Sequence, residues 1–177
     1  MHHFSAGGLY NGLVLLVDDE TQSYWDHITG VAVYGPLRGH TLETWPLYHT
    51  TVGAARVEQP DVPLFRPTNR SLIARVMGRL QGSSADNKGF TPPPFRSTME
   101  AVDSRLPERA TGLGVVHDGR ARFYPMAALK EPASEAWGGR TLRVALGELD
   151  GTPHATWSDD SSRPMQMLAR WYGFSLT

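Results

Sequence analysis

The chain has 177 residues, with 17 Lys plus Arg against 18 Asp plus Glu, 40% hydrophobic residues and no cysteine. That apolar content suits one folded domain and excludes a mostly disordered chain. The missing thiol excludes a disulfide framework, an iron–sulfur cluster, a thiolate zinc site and a cysteine nucleophile within these residues.

The net charge is −1 and no run of like charge is long, so no nucleic-acid-binding face is expected. Only Lys88 and Lys130 are lysines; the arginine bias reads as GC-rich coding rather than as a recognition surface. The longest apolar run, Leu13–Val17, is far short of the roughly 20 residues of a membrane helix, so no transmembrane segment is expected. Met1-His2-His3-Phe4 has neither the basic region nor the apolar core of a signal peptide. As written, the chain reads as soluble.

In chain order, Leu13–Val17 is the first expected strand, five aliphatics between Gly12 and Asp18. Such a run reads as a strand buried on both faces or as the start of a helix, and Asp18-Asp19 right after it favours the strand. Asp18–Thr21 reads as a tight turn into a strand through Tyr24-Trp25. Val31–Tyr34 is a third strand, closed by the turn Gly35-Pro36-Leu37-Arg38-Gly39, and Leu42–Trp45 a fourth.

The middle of the chain differs. Gln59–Pro67, with three prolines, reads as extended loop. Thr68-Asn69 can cap a helix on which Leu72, Ile73, Val76, Met77 and Leu80 form one stripe, with Gly82 as its stop. Gly82–Arg96 reads as a long loop between two halves.

The last third alternates strands with glycine turns. Leu113–Val116 and Arg120–Tyr124 flank Asp118-Gly119, a strong two-residue hairpin signal. Pro125–Leu129 reads as one helical turn and Gly138-Gly139 as another turn. Leu142, Val144 and Leu146 mark a half-buried strand, Asp150-Gly151 turns the chain, and His154–Trp157 returns. Pro164 can open a closing helix to Tyr172, with Met165, Leu168, Ala169 and Tyr172 on one stripe. The expected fold is mainly β, antiparallel sheets in a partial barrel or sandwich, with one central and one C-terminal helix. It is one domain, with residues 1–82 and 97–177 as related halves.

Two segments carry a family signal. The first runs Gly8-Leu9-Tyr10-Asn11-Gly12, then Asp19-Glu20-Thr21-Gln22-Ser23-Tyr24-Trp25-Asp26, then Gly35–Gly39, then His49-Thr50-Thr51. The second runs Gly114-Val115-Val116, Asp118-Gly119-Arg120-Ala121-Arg122-Phe123-Tyr124-Pro125 and Gly138-Gly139. In this order the chain resembles the bacterial domain-of-unknown-function family numbered DUF3179, and Gln59–Leu106 matches least. The resemblance implies a β-rich bacterial protein, often exported or lipid-anchored, with no established activity. Family members typically carry a Cys-Pro-x-Cys-like stretch before the position of Phe4. Its absence here implies an amino-terminally shortened member, to which no cysteine-dependent role carries over.

Several constellations carry candidate chemistry. Neutral imidazoles bind zinc, copper or iron, so His3, His27 and His49 are a candidate set for a divalent transition metal, although terminal histidines are more often solvated. Asp26 and His27 beside Trp25 suggest acid–base work. On a continuous strand they would point to opposite faces and form no dyad. His49-Thr50-Thr51 ranks first because it matches a family motif; its bland alternative is a histidine bonded to backbone. Tyr10, Asn11, Trp25 and Thr50 are candidate ligand-binding residues, although aromatics more often fill a small β core. No Gly-x-Ser-x-Gly and no phosphate loop occurs, and Gly112-x-Gly114 lacks a third glycine. Two functions follow. The first is a non-enzymatic module for a small ligand or protein partner. The second is a metal-dependent or acid–base enzyme built on His49, His27 and Asp26.

Overall fold

A computed structural model describes residues 3–65 and 97–176. The helix expected over Leu72–Leu80 and the loop Gly82–Arg96 lie outside the described residues. The chain separates into two compact units, one of residues 1–49 with 91–177 and the other of residues 50–90.

In the first unit, β1 (Phe4–Tyr10), β2 (Leu13–Asp18), β3 (Tyr24–Asp26) and β4 (Ala32–Tyr34) form a meander in chain order. The strands β5 (Thr111–His117), β6 (Arg120–Pro125) and β10 (Met165–Arg170) form a second sheet, ordered β10-β5-β6. A third contains β7 (Ala133–Trp137), β8 (Arg140–Leu146) and β9 (Pro153–Trp157). All pairings are antiparallel, so the mainly β expectation holds.

Three hairpins share one device. Asn11-Gly12, Asp118-Gly119 and Gly138-Gly139 each connect strands through two residues of positive φ. That backbone is the type I′ turn, whose twist matches the strands it joins, and Gly or a short polar residue adopts it at least cost. Pro125 is followed by the expected single helical turn, Met126–Ala128.

The core lies between the second and third sheets. Leu113 and Val115 from β5 meet Leu142 and Val144 from β8 and Ala155 and Trp157 from β9. On β8 and β9 the inward residues alternate with exposed or half-buried ones, so each strand turns one face to the core. The strand buried along a continuous run is β5, from Gly112 to Val115. Of the five aliphatics of β2, four are only half-buried and Val14 is exposed. The two-faced burial expected for Leu13–Val17 is therefore absent, because β2 lies in the separate four-stranded meander.

Two other elements differ from expectation. Leu42–Trp45 is not a strand: Thr41 makes one isolated bridge to Val31, and the chain then leaves the ladder toward Pro46, which has no N–H to donate. Met165–Arg170 is not helical but the strand β10, and only Trp171–Phe174 forms a C-terminal helix, α2. Met, Gln, Leu, Ala and Arg favour helix locally, but a six-residue segment gains little from that propensity. Pairing with β5 over Met165↔Val116 to Arg170↔Thr111 satisfies the backbone of the buried strand, and this outweighs it.

The second unit contains α1 (Val52–Glu58) among its described residues. The Thr51 hydroxyl accepts from the Ala54 amide at 3.2 Å as its N-cap. Substituting such a cap by alanine costs about 1 kcal/mol of helix stability.

Candidate functional site

The carboxylates after β2 divide by role. Asp18 is fully buried. Its carboxylate accepts from the Thr21 amide at 2.5 Å, the Thr21 hydroxyl at 2.7 Å and the Trp25 indole at 2.9 Å. Burial pushes its pKa up, but the Trp25 and Thr21 hydrogen bonds outweigh this and hold it at about 2. The turn reading of Asp18 therefore holds, and Trp25 is the partner of Asp18, buried in the fold rather than open to a ligand.

This network has a signed consequence. A carboxylate whose pKa falls from 3.8 to about 2 on folding contributes stability that is complete above about pH 4. That contribution is lost as pH falls toward 2. Urea midpoints measured at pH 5, 4, 3 and 2 should fall most steeply in the last two steps for the wild type. Asp18→Asn should start lower at pH 5 and lose less over those steps. Parallel curves would remove Asp18 as the source of the acid sensitivity.

Asp26 is likewise occupied by its own turn. It accepts from the Ile28 amide and the Thr29 hydroxyl, each at 2.8 Å. His27 is exposed, with Nδ1 2.6 Å from the Val14 carbonyl oxygen, an N–H donor in that tautomer. The two side chains thus bond different partners. Asn11 is buried in the first hairpin turn, where its side-chain oxygen accepts from the Glu100 amide at 3.3 Å. Tyr10 is exposed. His3 is exposed beside Glu20, with Nδ1 3.6 Å from its carboxylate. The His49 Nε2 is buried and has no hydrogen-bond partner among the described residues. Thr50 is half-buried and immediately precedes the N-cap of α1. Among the described residues no three His, Asp or Glu side chains gather as metal ligands, so His3, His27 and His49 are not brought into one set.

A different group of residues forms a cleft of about 820 Å³ within the first unit. One wall comes from the β3–β4 turn and β4, with Ile28, Val31 and Val33, and from Pro46. The other comes from the β5–β6 hairpin, the end of β9 and the start of β10, with Val116, Trp157 and Met165. The lining is mostly apolar, the usual character of a small-molecule site. A few polar groups reach it: His117, Asp118, Arg140, Ser162 and Arg163.

Most of these are already engaged. The His117 ring lies 4.8 Å from the Trp157 ring, and its Nε2 is 3.4 Å from Asp118. The Arg140 guanidinium lies 4.4 Å over the Trp157 ring and is held by Asp159 at 2.6 Å and Asp160 at 2.9 Å. The Arg140 hydrogen bonds hold the Asp159 carboxyl below its usual range, and the Ser162 hydroxyl and amide do the same for Asp160. Both carboxylates therefore stay charged and commit Arg140 to locking the β9–β10 loop. Arg163 differs. It is half-buried and its guanidinium stacks 3.6 Å over the Tyr48 ring, with no carboxylate partner among the described residues.

Sequence reasoning missed this cleft. Asp118-Gly119 carried its turn signal, which accounted for the pair without a site. Arg163 stands just before Pro164, where the expected helix opened, and carried no signal of its own. Nothing local in the sequence joins Val33 to residues 117–119 and 157–165.

The family described as Protein of unknown function (DUF3179) matches residues 3–162. That span covers most of the chain, and the chain belongs to this family. No curated protein and no solved structure matches it.

Proposed function

We propose that this member of the DUF3179 family is a non-enzymatic small-ligand binding module. The observation that carries the reading is the cleft of about 820 Å³ with Ile28, Val31, Val33, Trp157 and Met165 on its walls. Its volume falls within the roughly 300–1,000 Å³ of pockets that take drug-sized molecules. Several polar groups around it are held by neighbours rather than aligned for proton transfer: Arg140 by two aspartates, Ser162 by Asp160, and His117 beside Asp118. A binding site needs fixed walls and few oriented polar groups, and this arrangement supplies both.

The test uses a flat neutral probe, 2-naphthalenemethanol, titrated into the protein by calorimetry. Saturable binding is expected for the wild type. Val33→Trp places an indole into the cleft from a half-buried position and should weaken binding at least tenfold with the fold intact by circular dichroism. No saturable binding, or binding untouched by Val33→Trp, would remove the cleft as the site.

A further inference from the structure

Resting on the binding-module reading, we infer that the ligand is a carboxylate carried on a flat apolar body, and that Arg163 is the residue that anchors it. Four observations lead there. Arg163 is one of the residues lining the cleft, and its guanidinium has no carboxylate partner among the described residues. It is already held against the Tyr48 ring, 3.6 Å from its centroid, so less rotamer freedom remains to be lost when it takes a ligand. The neighbouring Arg140 is satisfied by Asp159 and Asp160, which leaves Arg163 as the unspent cation at this cleft among the described residues. The apolar lining behind it, from Val33 to Met165, gives the body of the ligand a dry surface.

A planar guanidinium offers two parallel N–H donors, the geometry that a carboxylate accepts. The choice of a single negative charge follows from the surroundings. Asp118 lines the cleft, and Asp159 and Asp160 stay charged beside Arg140. Each repels an anion, and a phosphate ester near −2 meets about twice the repulsion of a carboxylate at the same place. One free arginine offsets one charge.

The experiment compares three probes of one shape by calorimetry at pH 7.5: 2-naphthoate, 2-naphthalenemethanol and 2-naphthyl phosphate. The wild type should bind naphthoate at least tenfold more tightly than the alcohol, and the phosphate more weakly than naphthoate. Arg163→Gln should abolish the preference for naphthoate over the alcohol. Arg163→Lys, which keeps the charge without the planar fork, should retain part of it. Equal affinity for naphthoate and the alcohol in the wild type, or a preference that survives Arg163→Gln, would overturn the assignment and leave the cleft reading standing. Phosphate binding tighter than naphthoate would overturn the choice of a carboxylate. Failure of every probe to bind would overturn both readings.

Discussion

Gln166→Leu should lower the unfolding free energy by about 3–5 kcal/mol, which for a chain of this size means a melting temperature lower by roughly 10 °C. Gln166 lies on β10 with its side chain buried among the inner strands. Its amide behaves as a substitute peptide unit. The side-chain oxygen accepts from the Ala155 amide at 2.7 Å, and the side-chain nitrogen donates to the Ala155 carbonyl at 3.0 Å. Ala155 sits in β9, the edge strand of the β7-β8-β9 sheet, and is itself fully buried. An edge strand in the interior has no ladder partner on its outer side, so these two groups depend on Gln166. Leucine fills similar space and offers neither bond, leaving a buried donor and a buried acceptor unmatched at about 1–3 kcal/mol each. Hydrogen exchange gives the specific readout. The Ala155 amide should lose protection by more than its neighbours in the same strand. A variant with wild-type melting, or uniform loss of protection across β9, would refute the bridging role.

The second large effect is expected at Gly114. It lies in β5, and a Cβ built there would stand 2.2 Å from the Phe174 ring. That ring is buried in α2, 5.4 Å from the Phe123 ring, so it has little room to retreat. Gly114→Ala should cost about 2–3 kcal/mol through overpacking. The paired variant Gly114→Ala with Phe174→Leu should recover part of this loss, since a smaller side chain makes room for the methyl. Additive losses in the double variant, measured by urea unfolding, would exclude the ring as the cause. The same geometry explains Gly112-x-Gly114. At Gly112 a Cβ would stand 2.4 Å from the Tyr124 carbonyl oxygen. These glycines admit close packing on a central strand, and no phosphate-binding turn is involved.

The antiparallel fold was legible because its signals are local. Asp118-Gly119 and Gly138-Gly139 select a backbone with positive φ at two successive residues, and that choice determines the hairpin whatever surrounds it. The alternation of Leu142 and Val144 with Thr141 and Arg143 reports burial of one face directly. The buried Asp18 was legible as a turn residue for the same reason, since its acceptors are spent on Thr21 three residues away. Asp26 next to His27 read as chemistry only while its bonds to Ile28 and Thr29 were unseen.

The cleft was not legible, because its parts are joined only by folding. Ile28, Val33, His117, Trp157 and Arg163 come from three separate stretches of chain and share no spacing. The fate of Met165–Arg170 was hidden in the same way. Six residues with helical propensity became a strand because β5, buried on both faces, needed hydrogen-bond partners on each of its edges. The amino-acid sequence alone determined the mainly β class, the hairpin strands around the two-residue turns, the lack of thiol chemistry within these residues and the family. Tertiary structure decided which strand is central, which arginine is spent on aspartates and which has no carboxylate partner among the described residues. Local conformation depends on neighbours a few residues apart, whereas charge pairing and cavity walls depend on residues that only the finished sheets bring together.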